Sequence, residues 1–359
     1  MSKLDDLRQQ IDKIDDQLLK LISRRGLLAQ KIGEEKSIQK KNTHFHVPQR
    51  ERAILERLKG QNKGPFPSSS INSIFREVFS ATLALEKPLK IAFLGPDTTF
   101  THQIAVKHFG HSCKFNPCSN IESVFSEVEL GNSDYGVVPV ENSIEGVVNL
   151  TLDCFVDSPL YICDEARMAI SLFLLANNID VKKIKTVYSH PQPLAQSRNW
   201  LNKNLPGAEQ VPAASTAHAA ELAKKEKNSA AIAGQLAAEV HGLKIIAKNI
   251  QDCAENHTRF LVISKDQAKR AKKNKTSIMF SIADEAGSLL KTLQLFAKNN
   301  ISLTKIQSRP LRNRPWEYLF YVDFLGHIED KAVERVLKNL GKQTLLFRVL
   351  GSYPEQGLK

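Results

Sequence analysis

A repeating apolar pattern near the start of the chain is broken by a cation. Leu4, Leu7, Ile11, Ile14, Leu18, Leu21, Leu28 and Ile32 step by three and four residues, and the slot between Leu21 and Leu28 holds Arg25. A buried cation is costly unless an anion meets it. Lys36 follows about three helical turns later and so shares the Arg25 face. Arg50 and Glu51 open a second helical pattern, and Thr82 and Glu86 lie one turn apart on a third. Arg8 falls about 100° from the Arg25 face, where it could point toward a partner chain. Together these make a dry pocket of cations and polar hydrogen-bonding groups, whose natural ligand is a small dicarboxylate. Spacing alone also allows Arg25 to snorkel, or to pair structurally with an acid such as Asp15 or Glu51.

A second group of candidates sits in loops that follow apolar strands. These are "GPDTTFTHQIA" (95–105), "VPVENSIEGVVNLTLD" (138–153), "YSHPQPLAQ" (188–196), "STAHAA" (215–220) and "ENHTRF" (255–260). The last is unusual: a hydroxyl, a fixed cation and an aromatic ring (Thr258, Arg259, Phe260) stand where turns usually offer Gly or Pro. The set supplies neutral donors and the carboxylate of Glu141. His190 and His218 are single histidines without metal-ligand spacing, so neither a metal nor a cofactor is expected. Thr99, Ser143 and Ser215 fit helix caps as well as they fit a site. Local chemistry leaves both readings open.

The elements that must position these residues fall into three blocks. Residues 4–36 form a helix roughly 50 Å long, followed by helices at 48–60 and 70–86. Three helices in so short a segment cannot cover such a rod, which predicts an intertwined all-helical dimer. From 90 to 265 strands and helices alternate. The strands "KIAFLG", "DYGVVPV", "MAISLFLLA", "TVYSH", "SAAIAG" and "RFLVIS" and helices near 191–203 and 216–226 give an α/β domain. Its length suits two lobes with a cleft, changing lobe near 166–168 and returning near 245–250. "SKDQAKRAKKNK" (264–275) reads as a solvated linker. A β-α-β-β-α-β order follows, with strands at 276–283, 301–307, 316–325 and 343–350 and helices at 286–299 and 329–340, the ferredoxin-like arrangement of an α+β domain. The expected domains are 1–88, 89–265 and 275–353.

With 359 residues, 42% hydrophobic and 25% charged, the composition is that of a globular protein. The net charge of +12 suits anionic small substrates; basic residues interleaved with aromatics, the mark of nucleic-acid binding, are missing. Five cysteines form no CxxC pair, which implies reduced thiols in a cytoplasmic protein. "MSKLDDLRQQ" has no signal-peptide core, and the apolar run Met168 to Ala176 is too short to span a bilayer, so no membrane partner is expected.

Specific resemblances sharpen both groups. "LRQQIDKIDDQLLKLISRRGLLAQKIGEEK", "VPQRERAILERL" and "SATLALE" resemble the all-α chorismate mutase family across residues 4–87. By that resemblance Arg8 (across the dimer), Arg25, Lys36 and Arg50 are the site cations. Glu51 binds the substrate hydroxyl, Thr82 lies near a carboxylate, and Glu86 stands where the family has Gln or Glu. The implied reaction, chorismate to prephenate, is a pericyclic rearrangement. It needs confinement and cations near the ether oxygen, where Lys36 and Glu86 would act. A Glu donates only when protonated, so mutase activity is expected to fall at higher pH more steeply than in Glu86→Gln.

Residues 90–265 resemble prephenate dehydratase. The likeness is carried by Glu141-Asn142-Ser143, by Ser189 to Gln192 followed by Gln196, by Ser215 to Ala217, and by Thr258-Arg259-Phe260. This implies a two-lobed, periplasmic-binding-protein-like fold. Thr258 would assist departure of the ring hydroxyl as CO₂ leaves, and Arg259 would hold a carboxylate. Asn142, Ser143, Ser189, Gln196 and Thr216 would orient the substrate. Thr98 departs from the pattern, since the family usually has Gly there.

Residues 276–350 resemble an ACT domain, an amino-acid sensor. "EAGSLLKTL" and "KIQSRP" place effector contacts at Gly287, Ser288, Leu289, Gln307, Ser308, Arg309 and Pro310, with Ser288 and Gln307 replacing the usual Ala and Glu. The combined implication is a homodimeric or larger bifunctional enzyme of phenylalanine biosynthesis, with phenylalanine as its feedback effector. The alternatives are a dehydratase with a helical scaffold and a non-catalytic amino-acid-binding regulator.

Overall fold

The computed structural model describes residues 2–38, 46, 48–177, 180–310 and 318–356. Two compact units emerge. One gathers residues up to 90 with 106–114, and the other holds 91–105 and everything from 115 onward.

The first unit is helical: α1 (Lys3–Ile38), α2 (Pro48–Gln61) and α3 (Ser68–Glu86). The periodic pattern therefore gives its helices to within two residues. α3 lies against α1 where two glycines remove side chains. A Cβ on Gly26 would sit 3.2 Å from Leu85, and one on Gly33 3.2 Å from Glu86. The eight periodic apolar residues of α1 stay largely exposed within one chain, as Ile11 at 57% and Leu21 at 62% illustrate.

Apart from Lys90, residues 106–109 and Lys114, which group with the first unit, one lobe of the second unit carries β1 (Lys90–Leu94), α4 (Phe100–Phe109), β2 (Lys114–Cys118), α5 (Ile121–Glu129), β3 (Tyr135–Asn142), β4 (Gly146–Val147), α6 (Asn149–Asp157) and β5 (Tyr161–Ala169). The other carries β6 (Phe173–Ala176), β7 (Thr186–Ser189), α7 (Pro191–Gln196), α8 (Arg198–Asn204), β8 (Glu209–Pro212), α9 (Thr216–Lys225), β9 (Ser229–Ala233), α10 (Gln235–His241) and β10 (Lys244–Ala247). The chain then returns to the first lobe through β11 (His257–Ser264). The first sheet has the order β2-β1-β3-β11-β5, with β4 on β3, and the second the order β10-β6-β9-β7-β8. The run "MAISLFLLA" is thus two strands in two sheets: β5 ends at Ala169, β6 begins at Phe173, and residues 170–172 change lobes.

The last block is β12 (Asn274–Ser281), α11 (Ser288–Lys298), β13 (Leu303–Pro310), β14 (Tyr318–Leu325), α12 (Lys331–Gln343) and β15 (Leu346–Pro354), in the sheet order β13-β14-β12-β15. This is the expected ferredoxin-like order; residues 316 and 317 of the expected third strand lie outside the described residues. Its helical face closes on Ile278, Phe280, Phe296 and Val336.

The opposite face of that sheet is not solvated. Met279, Leu319, Tyr321, Leu350 and Tyr353 join Val138, Val140, Phe155, Ile162 and Leu261 of the first lobe in one buried cluster. At Gly351 the backbones approach so closely that a Cβ would meet the Ile162 carbonyl oxygen at 2.1 Å. The stretch 264–275 is accordingly no free linker. Lys275 is only 3% exposed, and its Nζ donates to Glu165 at 2.7 Å.

Candidate active sites

On the helical unit, Arg25 is half-buried. It lies 5.1 Å from the Phe79 ring centroid and donates through Nη1 to Thr82 Oγ1 and to the Val78 carbonyl. Thr82 in turn donates to the carbonyls of its own helix, so its oxygen is left to accept and orient the guanidinium. Burial lowers the Arg25 guanidinium below its ordinary value. Glu51 and Glu86 oppose that fall and Arg50 adds to it, so all three act on Arg25 electrostatically. Lys36 Nζ lies 3.5 Å from Glu86. Asp15, the other partner that spacing allowed, has no ion pair with Arg25 among the described residues. Arg8 is exposed, with Asp5 3.8 Å away, and within one chain it does not join the set.

The α/β unit holds a cleft of ≈ 350 Å³ lined by residues of both lobes. Of the dehydratase candidates, Asn142, Gln196, Thr216 and Thr258 line it; so do Thr99, Thr101, Glu145, His190, Gln192 and Ser215. Thr99 and Ser215 do cap helices: His102 N–H donates to Thr99, and His218 N–H to Ser215. The starts of α4 and α9 therefore face the cleft with hydroxyls and free N–H ends, a setting that favours anions. Its lining includes no Lys or Arg among the described residues.

One hydrogen-bond chain fixes the chemistry of this cleft. Asn142 Oδ1 accepts the backbone N–H groups of Ile144 and Glu145 at 2.9 and 3.1 Å. Its Nδ2 must then donate, and does so to Asn256 Oδ1 and to Thr258 Oγ1, both at 2.9 Å. Asn256 Nδ2 donates on to Gln196 Oε1 at 3.1 Å. Two backbone donors thus set every amide orientation along the chain. Thr258 is an acceptor within the protein, and its proton is left for the cleft.

Four candidates depart from the expectation. Thr258 and Arg259 are neighbours on β11, so they face opposite sides of the sheet. Arg259 points away from the cleft: Nε donates to Glu165 at 2.7 Å, Nη1 to Asp323 at 2.7 Å and Nη2 to Tyr353 at 3.0 Å. Burial alone would lower this guanidinium, but Tyr353, Asp323 and Glu165 outweigh it and hold it above its ordinary value. Glu141 lies on the same rear face and accepts from Lys305 at 2.8 Å. Ser143 donates to the Glu255 carbonyl and accepts the His257 N–H, clasping the loop to β11 instead of capping a helix. Ser189 is fully buried and donates to the Ile232 carbonyl at 2.6 Å. The alternation of a strand, applied to "ENHTRF" and "VEN", would have separated these faces from sequence alone.

Thr98 adopts φ +67°, the region where glycine is at ease, and its buried hydroxyl has no partner among the described residues. In the C-terminal block Gly287, at φ +87°, precedes α11, which Ser288 and Leu289 begin. Gln307, Ser308, Arg309 and Pro310 end β13. Arg309 is not free for an effector on all sides, since Nη2 donates to Asp153 of α6 at 2.9 Å.

Among the described residues no helix is long and apolar enough to cross a membrane. Residues 7–87 match the family Chorismate mutase type II, residues 91–268 Prephenate dehydratase, and residues 276–342 the ACT domain. A bifunctional chorismate mutase/prephenate dehydratase of Aquifex aeolicus is 48% identical over 359 residues, 99% of each chain. Its counterpart in Stutzerimonas stutzeri is 42% identical over 97% of each. A prephenate dehydratase of Arthrobacter aurescens, solved in complex with L-Phe, superposes with a TM-score of 0.69 at 33% identity, over 74% of this chain and 90% of that one. The Staphylococcus aureus dehydratase gives 0.66 at 30% identity, over 74% and 100%. With all three segments matched in one order and near-full-length identity to such enzymes, the chain belongs to the bifunctional chorismate mutase/prephenate dehydratase family.

Proposed function

We propose that chorismate rearranges to prephenate on the helical unit and that prephenate loses CO₂ and water in the two-lobed cleft. On the helical unit Arg25, held by Thr82, and the more exposed Arg50 bind carboxylates. Lys36 and Glu86 stand at the ether oxygen where charge grows, and Glu51 takes the hydroxyl. Arg8 serves the site of a second copy, whose helices also cover the exposed apolar stripe of α1; the active form is a homodimer or a multiple of it.

In the cleft the substrate dianion is held by hydroxyls and by the starts of α4 and α9, with Gln196 and Thr216 orienting it; Asn142, whose amide is fully engaged within the protein, acts by holding Thr258. Thr258 directs its O–H at the ring hydroxyl and hydrogen-bonds it as it leaves with the C–O bonding pair. The electrons released as the ring carboxylate departs as CO₂ form the aromatic ring, and the leaving hydroxide takes its proton from solvent. The observation that carries this reading is the fixed amide chain, which makes Thr258 an acceptor from Asn142 and leaves its O–H directed to the ligand. Removal of that donor in Thr258→Ala is expected to lower dehydratase kcat at least about tenfold. Mutase activity should be unchanged in the same preparation. Equal loss of both activities would point to misfolding, and full retention of phenylpyruvate formation would remove Thr258 from the mechanism.

The sensor domain takes L-phenylalanine near Gly287–Leu289 and Gln307–Pro310, and binding there inhibits the dehydratase. The relative of known structure that holds L-Phe supports this. Assay of chorismate consumption and phenylpyruvate formation, with and without phenylalanine, tests all three parts.

A further inference from the structure

Two cross-strand pairs meet at the back of the cleft. On β3 and β11, Asn142 stands opposite Thr258 and Glu141 opposite Arg259. Alternation sends the first pair into the cleft and the second to the rear. The C-terminal sheet presents a matching pair there, since Lys305 on β13 stands opposite Asp323 on β14. The four charges exchange partners across the gap: Lys305 Nζ donates to Glu141 at 2.8 Å and Arg259 Nη1 to Asp323 at 2.7 Å. Each motif doublet therefore has one residue facing substrate and one gripped by the C-terminal domain.

The grip is tight on both sides. The remaining donors of Arg259 go to Glu165 and Tyr353. Asp323 also accepts from Ser277 at 2.5 Å, and Glu165 is shared with Lys275. The register of β3 with β11 slips immediately below the doublet, between Arg259 and Phe260. A bulge interrupts the β3–β11 ladder there, so beyond it the side-chain ties add to the backbone pairing of β11 with β5 and of β3 with β4 in setting where Asn142 and Thr258 sit.

We propose that Glu141 and Arg259 are positioning residues of the dehydratase, and that Lys305 and Asp323 of the C-terminal domain, through them, hold Asn142 and Thr258 in register for the reaction. This rests on the cleft being the dehydratase site. Lys305 does not line that cleft, yet its removal should slow the chemistry carried out there.

The test is a double-mutant cycle on the full-length protein, with dehydratase kcat and KM read separately. Lys305→Met and Glu141→Gln should each lower kcat about tenfold with prephenate KM within about twofold, and the double variant should be no slower than either alone. Asp323→Asn, which keeps shape and hydrogen bonding, should lower kcat less than Asp323→Ala. Reversing the ion pair, Glu141→Lys with Lys305→Glu, should recover most of the rate lost in either single reversal. Wild-type kcat in Lys305→Met, or losses that multiply, would overturn the proposal. Thr258→Ala run alongside separates the two levels. If it is slow while Lys305→Met is normal, only the positioning role falls; if Thr258→Ala turns over normally, the cleft reading falls and takes the positioning role with it.

Discussion

Replacement of Asn142 by Asp tests the donor role of Thr258 without touching Thr258. The two backbone N–H groups of Ile144 and Glu145 would still be met, now by one carboxylate oxygen, and they keep the new acid ionised. The other oxygen would occupy the place of Nδ2, 2.9 Å from Thr258 Oγ1. Two acceptors cannot face each other, so the threonine hydroxyl must turn its proton to the aspartate and the substrate loses its donor. Loss of one well-placed donor to a developing charge costs about 3–4 kcal/mol, or about 10² to 10³ in kcat. The same change sets a carboxylate against Asn256 Oδ1. Asn256 and Gln196 must then turn over, at a cost of about 1 kcal/mol in stability. The assay is phenylpyruvate formation at saturating prephenate, with chorismate consumption measured on the same sample as a check of the helical unit. Asn142→Asp combined with Thr258→Ala should be no slower than the slower single variant, because both remove one interaction. Turnover of Asn142→Asp within about threefold of wild type would refute the proton assignment.

Three further expectations follow from single features. Thr98→Gly removes a left-handed β-branched residue and an unsatisfied buried hydroxyl while keeping the backbone bond to His102. A net gain of about 1 kcal/mol in denaturant unfolding is expected after glycine's own entropy cost, and a loss would count against strain at this position. Partial burial raises the Glu145 carboxyl above its ordinary value, with His190 opposing. It therefore ionises at higher pH than an unperturbed carboxylate, and its charge then repels a dianion in the cleft. Prephenate KM should rise about threefold to fivefold across that interval and stay flat in Glu145→Gln; parallel profiles would contradict this. Gly351→Ala drives a methyl into the Ile162 carbonyl and should cost about 3 kcal/mol of stability in the α/β unit, read as a lowered unfolding midpoint.

Helices were the most legible part of the sequence, because the apolar repeat of α1 and the breaker before α3 act locally. Strand faces were as legible in principle. The alternation in "ENHTRF" already required Thr258 and Arg259 to diverge, and a reading that sent both into one pocket neglected the pleat. What local pattern could not reveal is where the C-terminal sheet lies. Lys275, placed in a run of solvated lysines by composition, is buried because Glu165 waits across the sheet. Ser189 looked like a loop donor, but its hydroxyl is spent on a neighbouring strand's carbonyl. Both are tertiary facts, fixed by partners about 40 and 110 residues away in the chain. "MAISLFLLA" misled for a related reason, since apolarity persists while the chain passes from one sheet to the other.

The rear face of the cleft also gives the sensor a physical route to the reaction. On β13, Lys305, Gln307 and Arg309 alternate with more exposed neighbours and so share the inward face. Lys305 grips Glu141 and Arg309 grips Asp153 of α6, with Gln307, an expected effector contact, between them. A strand is stiff along its length, so an effector that draws Gln307 by a few tenths of an ångström must displace one or both ion pairs. Asn142 is the next residue after Glu141, and its amide holds the Thr258 hydroxyl in its donating orientation. Inhibition by this route would act on kcat, leaving substrate affinity nearly intact, because the groups that hold the dianion lie on α4 and α9, away from β3.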